Sequence, residues 1–318
     1  MTALAPPRWA GARRRRRSQA RHEATVFYLC IAPWLIGFLV FTAGPMIGSF
    51  VLSFTQWDMM TPARWVGLGN YRTIFTADEY FWQSLRVTGV YSLFSVPLKL
   101  VTALFLAILL NEASRGVGFF RTAFYLPSIM ASVAAAVLWS WILNPKFGPV
   151  NGALGLLGIQ GPGWFTDPRY ALWGLIMMSA WGLGGEVLIF LAGLKSIPHH
   201  LYEAAELDGA GRGARFLRIT LPMLSSTIFF NFVMALIGSF QAFDSAYIIS
   251  TAHAGTIGSP MNSTLLYMLH LYRNGFSWWK MGYASALAWI LFMIILVLTL
   301  AVLRSSSLWV YYEAERRA

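Results

Sequence analysis

With 318 residues, 57% of them hydrophobic and only 12% charged, the chain is too apolar for a soluble domain and reads as a membrane protein. Its formal charge of +11 would suit nucleic acid, but most of the basic residues flank apolar segments, where they set orientation in a bilayer. One cysteine, Cys30, lies in an apolar run and excludes an intramolecular disulfide.

Residues 1–24 form a polar tail with five consecutive arginines at 13–17. The apolar run that follows, about 25–54, is too long for the core of a signal peptide and lacks an evident small-residue cleavage site. It is read as a retained first transmembrane helix, kinked or tilted, with Pro33 and Pro45 inside it. Gly44 and Gly48 make a GxxxG pair suited to close helix packing, a weak signal when it stands alone.

Five more stretches, about 84–110, 119–143, 170–194, 223–250 and 282–303, each reach the roughly 20 residues that a crossing needs. The expectation is an all-α membrane protein with six transmembrane helices over residues 25–304 and a short tail at 305–318. Residues 55–83, 144–169 and 251–281, rich in Trp, Tyr, Gly and Pro, are expected to be loops with interfacial aromatics and short helices lying on the membrane. No internal repeat, low-complexity linker or second domain interrupts the pattern.

Sixteen lysines and arginines fall in the segments on the N-terminal tail's side, against six on the other: Arg64, Arg72, Lys146, Arg169, Arg273 and Lys280. The asymmetry assigns both termini and the loop around residues 195–222 to the cytoplasm. Arg86 and Lys99 lie within the second helix or at its end.

That loop carries the densest signal in the chain. Residues 197–208 read as a short helix with Leu201, Ala204 and Ala205 along one face. Gly209 and Gly211 end it and turn the chain. A second short helix, 214–220, runs up to Pro222, and Arg212, Arg215 and Arg218 make a stripe suited to anionic head groups. The order Glu203-Ala204-Ala205, three residues, Gly209, nine residues, Ile219, one residue, Leu221-Pro222 resembles the EAA loop of bacterial ABC importer permeases. Ile197-Pro198, Leu201-Tyr202 and Asp208-Gly209-Ala210 resemble the carbohydrate-uptake branch, the binding-protein-dependent sugar permeases.

The resemblance covers about residues 25–312. It includes Gly67-Leu68-Gly69-Asn70-Tyr71, Phe120-Arg121, Leu126-Pro127, Trp139, residues 240–244 (FQAFD) and residues 282–286 (GYASA). Two departures stand out. Residues 251–260, TAHAGTIGSP, replace the family's Thr-x-Gly-Gly-Pro and imply a longer outer turn. Gly211 and Gly213 soften the second half of the loop.

The resemblance implies a type I ABC importer permease fold in a bacterial cell membrane. It implies an ATPase-coupling loop of Tyr202, Glu203, Ala204, Ala205, Asp208, Gly209, Ala210, Leu221 and Pro222. The implied partners are an ABC ATPase dimer, a second and different permease, an extracytoplasmic solute-binding protein and membrane lipids, without nucleic acid. ATP and Mg would sit on the ATPase, and this chain would bind no cofactor. The physics of the loop agrees: alanines permit close approach, Gly209 makes the turn, and Glu203 can pair with an arginine.

Catalytic motifs are missing. The four lysines follow Leu98, Pro145, Leu194 and Trp279, never the glycine that a P-loop needs. There is no HExxH, paired-cysteine pattern or GxSxG, so no catalytic or metal residue is assigned. His199 and His200 are adjacent, point apart on a helix, and are read as loop residues.

Polar residues within the apolar stretches remain. On the fifth helix Asn231, Gly238, Gln241 and Ser245 share a face with Asp244 at its flank, either as a substrate pathway or as helix–helix hydrogen bonding. Trp139, Trp141, Trp173 and Trp181 can stack on sugar faces or simply pack. Lys99 and Glu186 lie about eleven and nine residues before the cytoplasmic ends of their helices, so their depths differ by roughly 3 Å and they are expected to pair. The function these features imply is ATP-driven uptake of a di- or oligosaccharide or a polyol by alternating access. The alternatives are a glycerol-phosphate type solute, or a self-sufficient secondary transporter or membrane enzyme using Lys99, Glu186 and Asp244.

Overall fold

The computed structural model describes residues 9–112 and 117–311. Residues 1–8, 113–116 and 312–318, and with them the ends of both tails and Arg115 of the charge count, lie outside the described residues. Among the described residues, four helices are long and apolar enough to cross a membrane: Glu23–Leu52, Glu79–Glu112, Ser225–Ala252 and Met281–Trp309. Two bent pairs, Gly118–Ile129 with Ser132–Ile142 and Ala171–Ser179 with Gly184–Ser196, make six if each pair is one span. The chain is therefore a mostly helical multi-pass membrane protein. Helix also reaches back through most of the residues expected to be the N-terminal tail, starting at Trp9.

Local features mark the breaks in the first, third and fourth stretches. Pro45 lacks the N–H that the helical ladder needs, and the first span widens into a π-helical turn, Leu39–Ala43, just before it. The third stretch turns through 103° where Met130 and Ala131 adopt extended ψ values of 142° and 136°, just past Pro127. The fourth bends by 45° at residues 180–183, where Gly182 has φ +79°. The fifth is interrupted at Gln241, Ala242 and Phe243, between Ser225–Phe240 and Asp244–Ala254.

The second span is the element on which the fourth and fifth stretches pack. Ser84, Thr88, Ser92, Ser95, Ala103 and Ala107, spaced three, four or eight apart, are all buried along one side. Small residues let backbones approach in a bilayer, where close packing rather than the hydrophobic effect holds helices together. The Ser92 and Ser239 hydroxyls meet at 2.6 Å across that contact. Gly193, on the second half of the fourth stretch, would place a Cβ 2.7 Å from Thr227 Oγ1.

At the end of the first span, a two-stranded hairpin pairs Thr55–Gln56 with Arg64–Trp65. Asn70 donates from Nδ2 to the carbonyls of Ser53 and Thr55, 2.8 and 2.9 Å away, satisfying groups that the helix end leaves open. The last span starts against this corner: a Cβ on Gly282 would lie 1.9 Å from the Thr55 carbonyl oxygen. That obstacle is backbone and cannot swing aside. Gly282→Ala is expected to cost about 1–3 kcal/mol or more, read as a lower melting point in detergent, whereas Gly238→Ala, with nothing near its Cβ, should melt as wild type does.

Residues 251–281 depart from the expectation of an outer loop lying on the membrane. Residues 264–274 enter the core, with Thr264, Leu265, Leu266, Tyr267, Leu269, His270 and Asn274 at most 2% exposed. Leu265, Leu266 and Leu269 join the cluster of Tyr91, Leu175 and Met178, while Tyr267 joins that of Phe81, Phe240 and Leu287. The segment is a wedge between two cores. Neighbouring spans hold it by hydrogen bonds: the Tyr267 N–H donates to Thr88 Oγ1 at 2.8 Å, and the Tyr267 hydroxyl donates to the Leu287 carbonyl at 2.8 Å. Beside it, the Asp78 carboxylate accepts from His270 Nε2, 2.9 Å away, and from the Tyr283 hydroxyl. Burial disfavours the charge on Asp78, but the hydrogen bonds from His270 and Tyr283 outweigh it and hold the carboxyl at about 2.

Candidate functional site

The three breaks in the third, fourth and fifth stretches meet at one cavity of about 390 Å³. Met130 and Ser132 come from the first break, Trp181 and Gly182 from the second, and Gln241, Ala242 and Phe243 from the third. A broken helix exposes backbone polar groups, and in a bilayer such groups are tolerated only where protein or a wet cavity receives them. The convergence of all three breaks on one space therefore marks it as the polar interior of the molecule.

Of the residues expected to line a pathway, Gly238, Gln241, Asp244, Ser245 and Trp181 all border this cavity, and Lys99 joins them. Asn231 does not. It is 1% exposed and packed among helices; two helical turns separate it from Gly238, about 10 Å along the axis. The break at Gln241 also ends the single helical face that sequence spacing implied. Ser128, Ser179 and Tyr91 add hydroxyls, and Trp181 stands edge-to-face with Trp139 at 5.9 Å between ring centroids. Gln241, Asp244 and Gly238 remain exposed, so the cavity is open on one side.

Lys99 continues the small-residue side of the second span between Ser95 and Ala103, and Glu186 lies in the first turn of Gly184–Ser196, the helix packed against it. Glu186 is the opposite charge that acts on Lys99. The two make no ion pair within 4.0 Å among the described residues. A helix N-terminus favours the Glu186 carboxylate independently of Lys99.

The second feature is the charged loop between the fourth and fifth stretches. Its first helix is His199–Leu207, ended by Gly209 at φ +77°. The Ala210 N–H donates to Ala205 O at 2.9 Å and the Gly209 N–H to Glu206 O at 3.0 Å, the paired bonds of a Schellman turn. The return runs through Arg212–Arg215 and the π-helical turn Phe216–Thr220 to Leu221-Pro222. Two contacts clasp the arms: the Tyr202 hydroxyl with Thr220 Oγ1 at 2.9 Å, and Arg215 with Glu206. Leu201 and Tyr202 pack on the cluster of Phe190, Leu194 and Leu224. The opposite face carries Glu203, Ala204 and Leu207, with Leu207 90% exposed. Sequence reasoning overlooked Leu207; its place three residues after Ala204 was the available signal.

A family model described as "Binding-protein-dependent transport system inner membrane component" matches residues 90–317. The chain is 48% identical over 297 residues to the probable ABC transporter permease protein YesP of Bacillus subtilis, covering 93% of this chain and 94% of that one. It is 32% identical to the trehalose/maltose transport system permease protein MalF of Thermococcus litoralis, covering 89% and 94%. Against the arabinooligosaccharides transport system permease protein AraP of Bacillus subtilis the identity is 30%, covering 88% of each chain. Among solved structures, a chain of a bacterial ABC transporter involved in the import of the acidic polysaccharide alginate superposes with a TM-score of 0.78 at 26% identity, covering 92% of this chain and 98% of that one. A chain from the bacterial alginate ABC transporter in complex with alginate pentasaccharide-bound periplasmic protein gives 0.77 at 25%, covering 91% and 96%.

Proposed function

The chain belongs to the inner membrane components of binding-protein-dependent transport systems, and from that premise we propose that it is the permease subunit of an ATP-driven carbohydrate importer. The observation that carries the reading is the cavity at the three breaks. It offers hydroxyls, an amide and a carboxylate around an indole, the combination that takes up sugar hydroxyls and stacks on an apolar sugar face. Lys99 is the one cation among its lining residues and shares it with the Asp244 carboxylate, which favours a neutral oligosaccharide or polyol over a phosphate ester.

In this reading all six apolar stretches cross the membrane, and both termini and the 197–222 loop face the cytoplasm. A second, different permease closes the open side of the cavity. An ATPase dimer receives the Glu203, Ala204 and Leu207 face, with the remaining loop residues holding its shape, and ATP and Mg reside there. An extracytoplasmic binding protein delivers the solute, a reading that the alginate transporter in complex with its periplasmic protein supports. The breaks divide the helices into outer and inner halves, so the cavity can open to one side while the other closes.

Gln241→Ala and Asp244→Ala are expected to lower uptake about tenfold or change solute preference while the subunits still co-purify, because each removes hydrogen bonds to solute from a site without core packing. Loss of subunit association with full activity in the assembled fraction would instead make these residues packing elements.

A further inference from the structure

The account of uptake leaves unused the half-buried Asp78 carboxylate, whose two oxygens serve three different elements. Oδ1 accepts the N–H groups of Tyr80 and Phe81, at 3.0 and 3.2 Å, and so caps the second span. Oδ2 accepts from His270 Nε2 at 2.9 Å and from the Tyr283 hydroxyl. The residues joined there are 192 and 205 positions away from it, on the wedge and on the last span. A carboxylate only accepts, so Nε2 of His270 carries the proton. Nδ1 of the ring then faces the Asn274 amide and the Arg273 guanidinium, 3.4 Å from each.

The wedge that His270 belongs to reaches the cavity. Leu266, four residues before His270, lines it, and Leu265 and Leu269 pack into the cluster around it. Behind Leu266 the wedge is held by the Thr88 bond, the Tyr267 bond, the Arg273 guanidinium 4.7 Å over the Tyr80 ring and the Asp78 carboxylate, and of its hydrogen bonds to other elements the one to Asp78 is charge-assisted. Asp78 thus ties the start of the second span, the start of the last span and the wedge to one carboxylate.

Resting on the reading of the cavity as the solute pathway, we propose that Asp78 is a positioning residue for transport, which through His270 and Tyr283 latches residues 264–274 closed over the end of the cavity that faces the binding protein. Release of this latch lets Leu266 withdraw and opens the cavity to solute from that side.

The test measures access in the assembled complex. With Cys30→Ser as background and Ser132→Cys as a reporter on the cavity wall, the full complex is reconstituted without ATP and treated with a membrane-impermeant maleimide from the outer side. Asp78→Asn keeps the cap acceptor but presents an N–H group to two donors. His270→Leu removes the contact from the other side, and His270→Gln keeps a donor at the Nε2 position. Labelling is expected to rise about tenfold in Asp78→Asn and in His270→Leu, the shift that loss of a charge-assisted hydrogen bond makes in a two-state equilibrium, and to stay near the wild-type rate in His270→Gln. Unchanged labelling in His270→Leu, whether or not its melting point falls, would show that the carboxylate only holds the fold together and would overturn the proposal, as would His270→Gln behaving like His270→Leu. Should solute fail to protect the Ser132→Cys reporter in the otherwise wild-type complex while the latch variants still raise labelling, the pathway reading fails and the latch stands.

Discussion

Glu203→Lys is expected to reduce uptake to background and to remove the ATPase from the purified complex, while the chain still inserts and melts normally. The Glu203 side chain is 65% exposed, and among the described residues its ion-pair partner is His199, one helical turn away at 2.9 Å. An exposed pair of this kind contributes about 0–1 kcal/mol, so its loss leaves the fold intact. The same carboxylate stands with Ala204 and with the 90% exposed Leu207 on the face that the chain's own core leaves free. At a contact, a reversed charge meeting like charge costs several kcal/mol, enough to lower occupancy more than a hundredfold. Leu207→Asp is expected to act in the same way. Gly209 contributes through conformation: its φ of +77° costs a side chain about 1–2 kcal/mol, although a Cβ there meets open space. Gly209→Val should therefore weaken coupling more than Gly209→Asn, which tolerates that region. Normal uptake with intact ATPase co-purification in Glu203→Lys and Leu207→Asp would remove the docking role from this face.

Lys99→Met and Glu186→Leu are each expected to destabilise the complex, and the double variant to recover part of the loss. Breaking a buried pair from one side costs about 3–5 kcal/mol because the remaining charge is stranded. Here each loss should fall below that range, since Lys99 and Glu186 are only half-buried and make no ion pair within 4.0 Å among the described residues. The losses should also be unequal. Glu186 at the first turn of its helix keeps the stabilisation of the helix N-terminus when Lys99 is gone, whereas Lys99 without Glu186 keeps the open cavity that it shares with Asp244. The coupling should appear as roughly 0.5–3 kcal/mol in a double-mutant cycle read from detergent melting. Strictly additive losses would show that each charge is accommodated alone.

Length and polarity made the spanning stretches legible, because each needs about 20 apolar residues whatever its neighbours. Their boundaries were less so: the second span starts at Glu79, five residues before the apolar run, since Asp78 caps it from outside that run. The helix ended by Gly209 was visible in the glycines. Pro127 and Gly182 marked weak points in the third and fourth stretches, yet a bend of 103° depends on what the two halves pack against. The same packing put Gly238, Gln241 and Asp244 on the cavity and left Asn231 outside it, which a helical-wheel argument cannot see across a break. The wedge was hidden for a related reason. Its apolar run, residues 265–269, is too short to read as a crossing, and the contacts that bury it, Thr88 to Tyr267 and Asp78 to His270, span 179 and 192 positions.

The central claim, that this chain passes a carbohydrate solute by ATP-driven alternating access, is tested most directly in proteoliposomes. The chain would be reconstituted with its partner permease and ATPase, and supplied with the binding protein loaded with a labelled oligosaccharide that this protein retains. Accumulation is expected only when ATP, ATPase and binding protein are all present, and it should stop with Glu203→Lys in otherwise identical vesicles. Accumulation driven by an ion gradient, without ATP or the ATPase, would contradict the account.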